Sequence, residues 1–163
     1  MYGKAVPELD PEELDLPTLA ALAGSAANQH LLRRLRDQGY TGVRTSHGYV
    51  IQNLVEESPT VGELAERLGV TQQAASKTVV EMEALGLVTR APDPGDSRIR
   101  RVTLTTRGQA LLAAGRAARA ELEQAVDAKV GDLVAAKRAL VSLLAHTGQM
   151  AAVRQRRVRP TTE

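Results

Sequence analysis

Two clusters of side chains in the middle of the chain have the types and spacing that bind an anion. Arg98, Arg100 and Arg101 fall within four residues and follow a Pro/Gly-rich turn at 92–97. Arginines crowded at a hairpin tip repel one another unless an anion is near, and arginine suits the narrow, negative minor groove of DNA. Asp96 stands two residues before Arg98 and is expected to pair with it and orient it. The competing interpretation is a hairpin decorated with arginines for solubility.

The second cluster lies on a segment with helical periodicity. Ala75, Val79 and Met82 recur at i, i+4 and i+7, so they form the inward face of a helix predicted over 72–85. The outward face carries groups that bond base edges and phosphates, and one apolar residue that can contact a thymine methyl group. These outward residues are Gln72, Gln73, Ser76, Lys77 and Val80. A solvated amphipathic helix gives a similar pattern, but no acidic residue precedes Glu81 in this segment.

Capping and turn signals predict the elements that hold both clusters. Residues 60–63 read Thr-Val-Gly-Glu, a capping box that begins a short helix, and Gly69 ends that helix. Thr71 caps the next helix, so a tight turn joins the two. Residues 87–90 and 98–104 predict the strands of a hairpin. This order indicates a winged helix-turn-helix, whose second helix fits a DNA major groove about 12 Å wide.

Longer helical patterns flank this lobe. Helices are predicted over residues 16–37, over 46–56 with Ser46 as the cap, and over about 107–130. A Gly-Asp pair at 131–132 ends the third pattern, and one last helix follows. The predicted fold class is mostly α with a small β-wing. The predicted boundaries are 46–104 for the winged helix-turn-helix lobe, 16–38 and 107–157 for a helical dimerisation region, and 1–163 for the single domain.

Composition limits the classes of protein that fit. The 163 residues include no Cys, Phe or Trp, and the net charge is +2. The lack of Cys excludes a disulfide scaffold, a Cys nucleophile and thiol sensing, and a core of Leu, Val and Ala favours packed helices. No segment approaches the roughly 18 apolar residues that span a membrane, so we expect a cytoplasmic protein without membrane partners. Four arginines between Arg154 and Arg159 either contact phosphates or solvate the end of a helix.

Two other classes of function compete with DNA binding. An enzyme is not expected, because the chain has no phosphate-binding Gly loop, nucleophile elbow, His-Glu-x-x-His motif or Cys/His pair. Its histidines, His30, His47 and His146, are widely spaced, so we predict neither a metal site nor a cofactor. A winged domain that binds protein is the other class. The arginines of the wing argue against it, whereas the apolar Val80 and Leu85 favour it weakly.

Residues 59–112 closely resemble the MarR family of multiple-antibiotic-resistance regulators. The resemblance rests on TVGELAERLGVT at 60–71, GLV at 86–88, DPGDSR at 93–98 and LTTRG at 104–108. The last of these matches the Leu-Thr-x-x-Gly pattern that begins the family's long helix. The combination is specific, whereas the helix-turn-helix pattern alone is not.

The resemblance implies a two-fold homodimer that binds a pseudo-palindromic operator in double-stranded DNA, usually as a repressor. The residues that it assigns to the major groove are Gln72, Gln73, Ser76 and Lys77. It implies that Arg98 enters the minor groove beside Asp96, and that Thr60 and Thr71 reach phosphates through a hydroxyl or an N–H group. Val80 departs from the family, which often has a polar residue there, so it affects the expected base preference.

The resemblance also raises the question of a small-molecule effector. Family members often bind small anionic phenols between the dimer helices and the winged lobe, and then release DNA. The candidate pocket residues are Tyr40, Arg44, His47 and Tyr49, because Arg44 can meet a carboxylate and Tyr49 can stack on a ring. The alternative, which we favour, puts Tyr49 in the core and His47 in a capping contact near Ser46. No feature identifies a ligand, an operator or the direction of regulation.

Overall fold

The described part of the chain, residues 10–155 of a computed structural model, is helical apart from one antiparallel hairpin. Every helix in this range is too short or too polar to span a lipid bilayer. The end of the predicted dimerisation region and the arginines at 156–159 lie outside the described residues. The elements are a 3-10 turn at Pro11–Glu13, α1 Leu16–Asp37, α2 Thr45–Asn53, α3 Val61–Leu68, α4 Gln72–Ala84, β1 Val88–Pro92, β2 Arg100–Leu104, α5 Thr106–Val130, α6 Leu133–His146 and α7 Met150–Arg154.

Local capping sets the helix boundaries around the turn between α3 and α4. Thr60 Oγ1 accepts the Glu63 N–H at 3.2 Å, and Glu63 Oε2 accepts the Thr60 N–H at 2.7 Å, which confirms the capping box. Gly69 adopts φ +66° at the end of α3, a left-handed conformation that glycine tolerates best. Thr71 Oγ1 then accepts the Ala74 N–H at 3.2 Å and begins α4. These bonds confirm the predicted helix-turn-helix.

The second helix begins earlier than predicted. Its N-cap is Arg44 and not Ser46, because the Arg44 N–H donates to His47 Nδ1 at 3.2 Å and closes the first turn there. The helix also ends at Asn53, before the predicted Glu56, where the Leu54 N–H turns back to the Ile51 carbonyl at 3.0 Å. The prediction was wrong at both ends because a histidine cap has no strong sequence signature.

The hairpin and the last helix also differ from the prediction. Pro92 pairs with Arg100, so β1 extends into the predicted turn and β2 begins two residues after Arg98. The predicted single last helix is divided into α6 and α7, because Gly148 adopts φ +70° between them. The first difference comes from cross-strand pairing, and the second from a left-handed turn at Gly148 within a longer apolar pattern.

The hydrophobic core lies inside the winged lobe and under the start of α5. Leu64 and Leu68 of α3 meet Val79 and Met82 of α4, together with apolar residues from the other elements of the lobe. The remaining core residues are Leu35, Val50, Ile51, Leu54, Leu87, Val88, Val102 and Leu111. The Val102 N–H donates to the Pro59 carbonyl at 2.8 Å, which ties β2 to the segment before α3. This core therefore holds α4 and the hairpin in one unit.

Candidate nucleic-acid interface

Helix α4, the second helix of the helix-turn-helix, separates a buried apolar face from an exposed polar face. Ala75, Val79 and Met82 are 1%, 0% and 0% exposed, as the periodicity predicts. On the opposite face Gln72, Gln73 and Lys77 are exposed and Ser76 is half-buried, and Val80 joins them. Because the buried face anchors the helix in the core, the polar face has a fixed presentation. It offers amide, hydroxyl and ammonium groups suited to base edges and phosphates.

Acidic side chains near the end of α4 are neutralised by arginines from other elements. Arg44 Nη1 lies 3.1 Å from Glu81 Oε2. Arg90 Nε of β1 donates to both carboxylate oxygens of Glu83 at 3.1 Å, and this bond is the main reason that the pKa of Glu83 lies below its usual value. A face that meets phosphate backbone gains from this pairing, because uncompensated carboxylates would repel the DNA.

The tip of the wing holds two arginines without an ion pair to any residue in 10–155. Arg98 lies in the turn, not on the strand as predicted, and Arg100 is the first residue of β2; both are exposed. The expected pairing of Asp96 with the Arg98 side chain is not what the structure has: Asp96 Oδ1 accepts the Arg98 backbone N–H at 2.9 Å. Asp96 therefore fixes the main chain of Arg98 and leaves its guanidinium group exposed.

Arg101 differs from the other two arginines, contrary to the prediction of an unpaired cluster. Its side chain is 34% exposed and forms a salt bridge with Asp93 of the turn. Its Nη1 donates to the Ser58 carbonyl at 3.0 Å and lies 3.6 Å from Glu63 Oε2. Hydrogen bonding to Asp93 raises the pKa of Arg101 and is also the main cause of the lowered pKa of Asp93. Sequence reasoning missed Asp93, although its place two residues before a turn glycine is typical of an Asx turn.

Thr60 and Thr71 both serve as helix caps. The Thr60 N–H is taken by Glu63 Oε2, so a phosphate can reach this residue only through its hydroxyl proton. The Thr71 hydroxyl accepts a backbone N–H, and its own proton is free to donate outward. Both residues therefore keep a donor at the N-terminus of a helix, where the helix dipole also favours an anion.

The four candidate pocket residues have different surroundings. The Arg107 guanidinium carbon lies over the Tyr40 ring, 5.0 Å from the centroid of that ring. Tyr49 packs against the core. His47 is 1% exposed and caps α2. Burial lowers the pKa of His47 despite Glu81, whose Oε2 lies 3.7 Å from His47 Nε2. These candidate residues therefore lie at the core, at a helix cap and in a cation–π contact, and a pocket that they share stays a prediction.

A narrow cleft of about 50 Å³ lies between α1, α2 and α5. Arg44 is the single member of the predicted set that lines it, and Arg119 of α5 contributes a second guanidinium group. Leucines of α1 and α5 form most of the apolar wall. Within residues 10–155, no three acidic or histidine side chains are grouped to hold a metal ion.

Comparison with known proteins identifies the lobe. Residues 41–99 match the model of the MarR family. This segment of the chain is therefore similar to the MarR family. This match covers α2, α3, α4 and β1, which include the second helix of the helix-turn-helix and its supports, as the sequence resemblance implies. No curated protein matches the chain significantly.

Solved structures confirm the fold class. YusO from Bacillus subtilis has 22% identity and a TM-score of 0.61, and the match covers 78% of this chain and 89% of YusO. The transcriptional regulator BldR from Sulfolobus solfataricus has 27% identity and a TM-score of 0.56, with 83% and 96% covered. A complex of S. aureus MepR with DNA has 20% identity and a TM-score of 0.64, with 80% and 98% covered. The mostly α winged-helix architecture of this chain is therefore shared over nearly the whole length of each.

Proposed function

We propose that this protein is a homodimeric transcription regulator that binds a pseudo-palindromic operator in double-stranded DNA and represses transcription. The observation that carries the proposal is a core-anchored helix whose exposed face begins with Gln72, Gln73 and Lys77, while the acids behind them are paired with arginines. The DNA bound to S. aureus MepR, a protein of similar fold, supports the same class of ligand. The chain then acts where the DNA is, in the cytoplasm, and performs no catalysis.

Each part of the interface has a distinct task in this proposal. Gln72, Gln73, Ser76 and Lys77 read base edges in the major groove. Thr60 and Thr71 donate to phosphates. Arg98 and Arg100 lie at the wing tip with free guanidinium groups, which the negative potential of a narrow minor groove attracts.

A second copy of the chain is the partner that the exposed apolar side chains favour. Helix α6 buries no residue within the single chain, and its Val134 is 59% exposed. Leu22 of α1 and Val130 of α5 are exposed to a similar extent, at 56% and 54% of their surface. Apolar surface on several helices is costly in water, and a symmetric dimer covers it from both copies at once. Two wings and two copies of α4 then match two half-sites about one helical turn apart.

Release by a small anionic or phenolic ligand belongs to the same proposal. The cleft between α1, α2 and α5 has an apolar wall and two guanidinium groups, from Arg44 and Arg119. Arg44 also holds Glu81 of α4, so an anion that recruits Arg44 changes the support of that helix. Salicylate is a suitable probe: the expected result is weaker operator binding in wild type and no such effect in Arg119→Gln. Equal effects in both proteins would contradict this site.

Selection of bound sequences from random duplex DNA tests the main proposal. At near-physiological salt we expect an enriched inverted repeat with half-sites about 10 base pairs apart. Gln73→Ala, as the matched comparison, should change the preferred base at one or two positions of each half-site. If no DNA sequence is enriched and retention on heparin does not depend on salt, the proposal is overturned in favour of a winged domain that binds protein.

A further inference from the structure

Arg101 joins the wing to the helix-turn-helix through three separate groups. It reaches Asp93 in the wing turn, the Ser58 carbonyl before α3, and Glu63 in the first turn of α3. Glu63 is itself held by the Thr60 N–H. The charge of Arg101 is therefore matched by two carboxylates, which leaves it little attraction for a phosphate.

Asp93 continues this connection toward the wing tip. One carboxylate oxygen, Oδ2, binds Arg101, and the other, Oδ1, accepts the N–H groups of Gly95 at 2.7 Å and Asp96 at 3.3 Å. Asp96 Oδ1 in turn accepts the N–H of Arg98 at 2.9 Å. An unbroken series of bonds thus runs from the start of α3 to the main chain of Arg98.

Backbone bonds tie the base of the hairpin to the lobe and close the turn, but none of these bonds runs from the turn to α3. The Val102 N–H bond to the Pro59 carbonyl lies next to Arg101, and strand pairing ends at Pro92 and Arg100. Beyond that pair, the described turn is held by the carboxylates of Asp93 and Asp96 and by two backbone bonds of Ile99. The Asp93–Arg101 pair is the side-chain link from this turn toward α3.

We propose that Arg101 and Asp93 are positioning residues, which fix the wing tip on α3 so that Arg98 and Arg100 meet DNA already ordered. This inference rests on the proposed DNA-binding function and replaces the predicted DNA contact of Arg101. Ordering a loop and its side chains during binding costs affinity, and a pre-ordered wing avoids that cost. Arg98 and Arg100 contact the ligand, whereas Arg101 and Asp93 act through them.

Asp93→Asn separates positioning from simple electrostatics, because the two predict opposite signs. The substitution keeps an Oδ1 acceptor for the turn but removes the charge that binds Arg101. If charge alone mattered, the loss of an acid near DNA would tighten binding. Positioning instead predicts binding weaker by about tenfold on the selected operator. Tighter binding by Asp93→Asn would overturn the proposal.

A double-mutant cycle identifies the residue through which Arg101 acts. We expect Arg101→Gln to weaken binding by about tenfold in the wild-type background and by less than about twofold once Arg98 and Arg100 are both alanine. Arg100→Gln is the matched control, since it removes the same charge from the same strand without a bond to the turn. Its cost should be smaller in the Arg101→Gln background than in wild type, because coupling in a double-mutant cycle is reciprocal. Equal costs of Arg101→Gln in both backgrounds would show a direct contact and overturn the proposal.

Hydrogen exchange in the free protein tests the same mechanism without DNA. In Arg101→Gln the amides of Gly95, Asp96 and Arg98 should exchange faster, while those of α4 stay protected and the melting temperature changes little. Arg100→Gln should leave all of them unchanged. Unchanged exchange in Arg101→Gln would refute the positioning role. If exchange changes but no operator is found, the positioning holds and the DNA-binding proposal fails.

Discussion

The contact between Gly108 and Leu87, in the link between α4 and β1, yields a sharp prediction for Gly108→Ala. A Cβ atom at this position would lie 2.0 Å from the Leu87 carbonyl oxygen, a backbone atom that cannot rotate away. The same junction contains the Thr105 N–H bond to that oxygen, at 3.0 Å, and the Thr105 hydroxyl bond to the Gly86 carbonyl, at 2.6 Å. Only glycine permits α5 to start this close to the winged lobe.

The expected cost follows from the distance. Ordinary contact begins at about 3.4 Å, so α5 and Leu87 must separate by about 1.4 Å. Overpacking of this kind costs about 1–3 kcal/mol, and weakening two junction hydrogen bonds adds about 1 kcal/mol each. Alanine recovers up to about 1 kcal/mol of helix propensity. We therefore expect the free energy of unfolding to fall by about 2–4 kcal/mol.

Urea unfolding monitored by circular dichroism, at one fixed protein concentration, measures this loss. Gly115→Ala is the matched control, because it is also buried on α5 but its Cβ would meet only the flexible Arg119 side chain, at 3.5 Å. It should be neutral or stabilising by up to about 1 kcal/mol. Equal stability of the two variants would refute the close-approach argument.

Three further predictions concern the cap, the buried histidine and the polar face. Thr71→Ala removes the cap of α4 and should destabilise the protein by about 1 kcal/mol in thermal unfolding, whereas Thr71→Ser should retain most of that stability. Burial lowers the pKa of His47 below 6.5, so the unfolded chain binds more protons there and the free energy of unfolding falls as the pH drops through 6.5. Urea unfolding at about pH 7.5 and 5.5 should therefore show a smaller loss of stability for His47→Asn than for wild type. An equal loss in the two proteins would exclude His47 as the source. Arg98→Ala should reduce the slope of log affinity against log salt by about one unit, measured by fluorescence anisotropy, while an unchanged slope would exclude a phosphate contact.

Local hydrogen bonding explains why much of the fold was predictable. The bounds of α1, the Thr60–Glu63 capping box and the cap at Thr71 all depend on residues no more than four positions apart. The same holds for Asp132, whose Oδ1 accepts the Ala135 N–H at 2.9 Å and restarts the helix after α5. Side-chain type and short spacing decide such bonds, so the pattern alone predicts them.

The errors have a common physical origin in longer-range contacts or weak local signals. The start of α2 depends on a histidine cap, and the pairing of Pro92 with Arg100 displaced Arg98 from the strand into the turn. Tyr40 has a cation–π partner in Arg107, on a helix far along the chain, which the sequence pattern does not indicate. Periodicity contains no information about such partners.

The sequence by itself determined the helix-turn-helix, its caps and the polar face of α4, because backbone capping and hydrophobic periodicity are local properties. It also determined that arginines are concentrated in the wing. Only the tertiary structure decided what each arginine does. Arg101 bonds the Ser58 carbonyl, 43 positions away, and is neutralised by carboxylates, whereas Arg98 and Arg100 keep their charges exposed. Three identical side chains thus differ in role because folding places partners beside one of them and solvent beside the others.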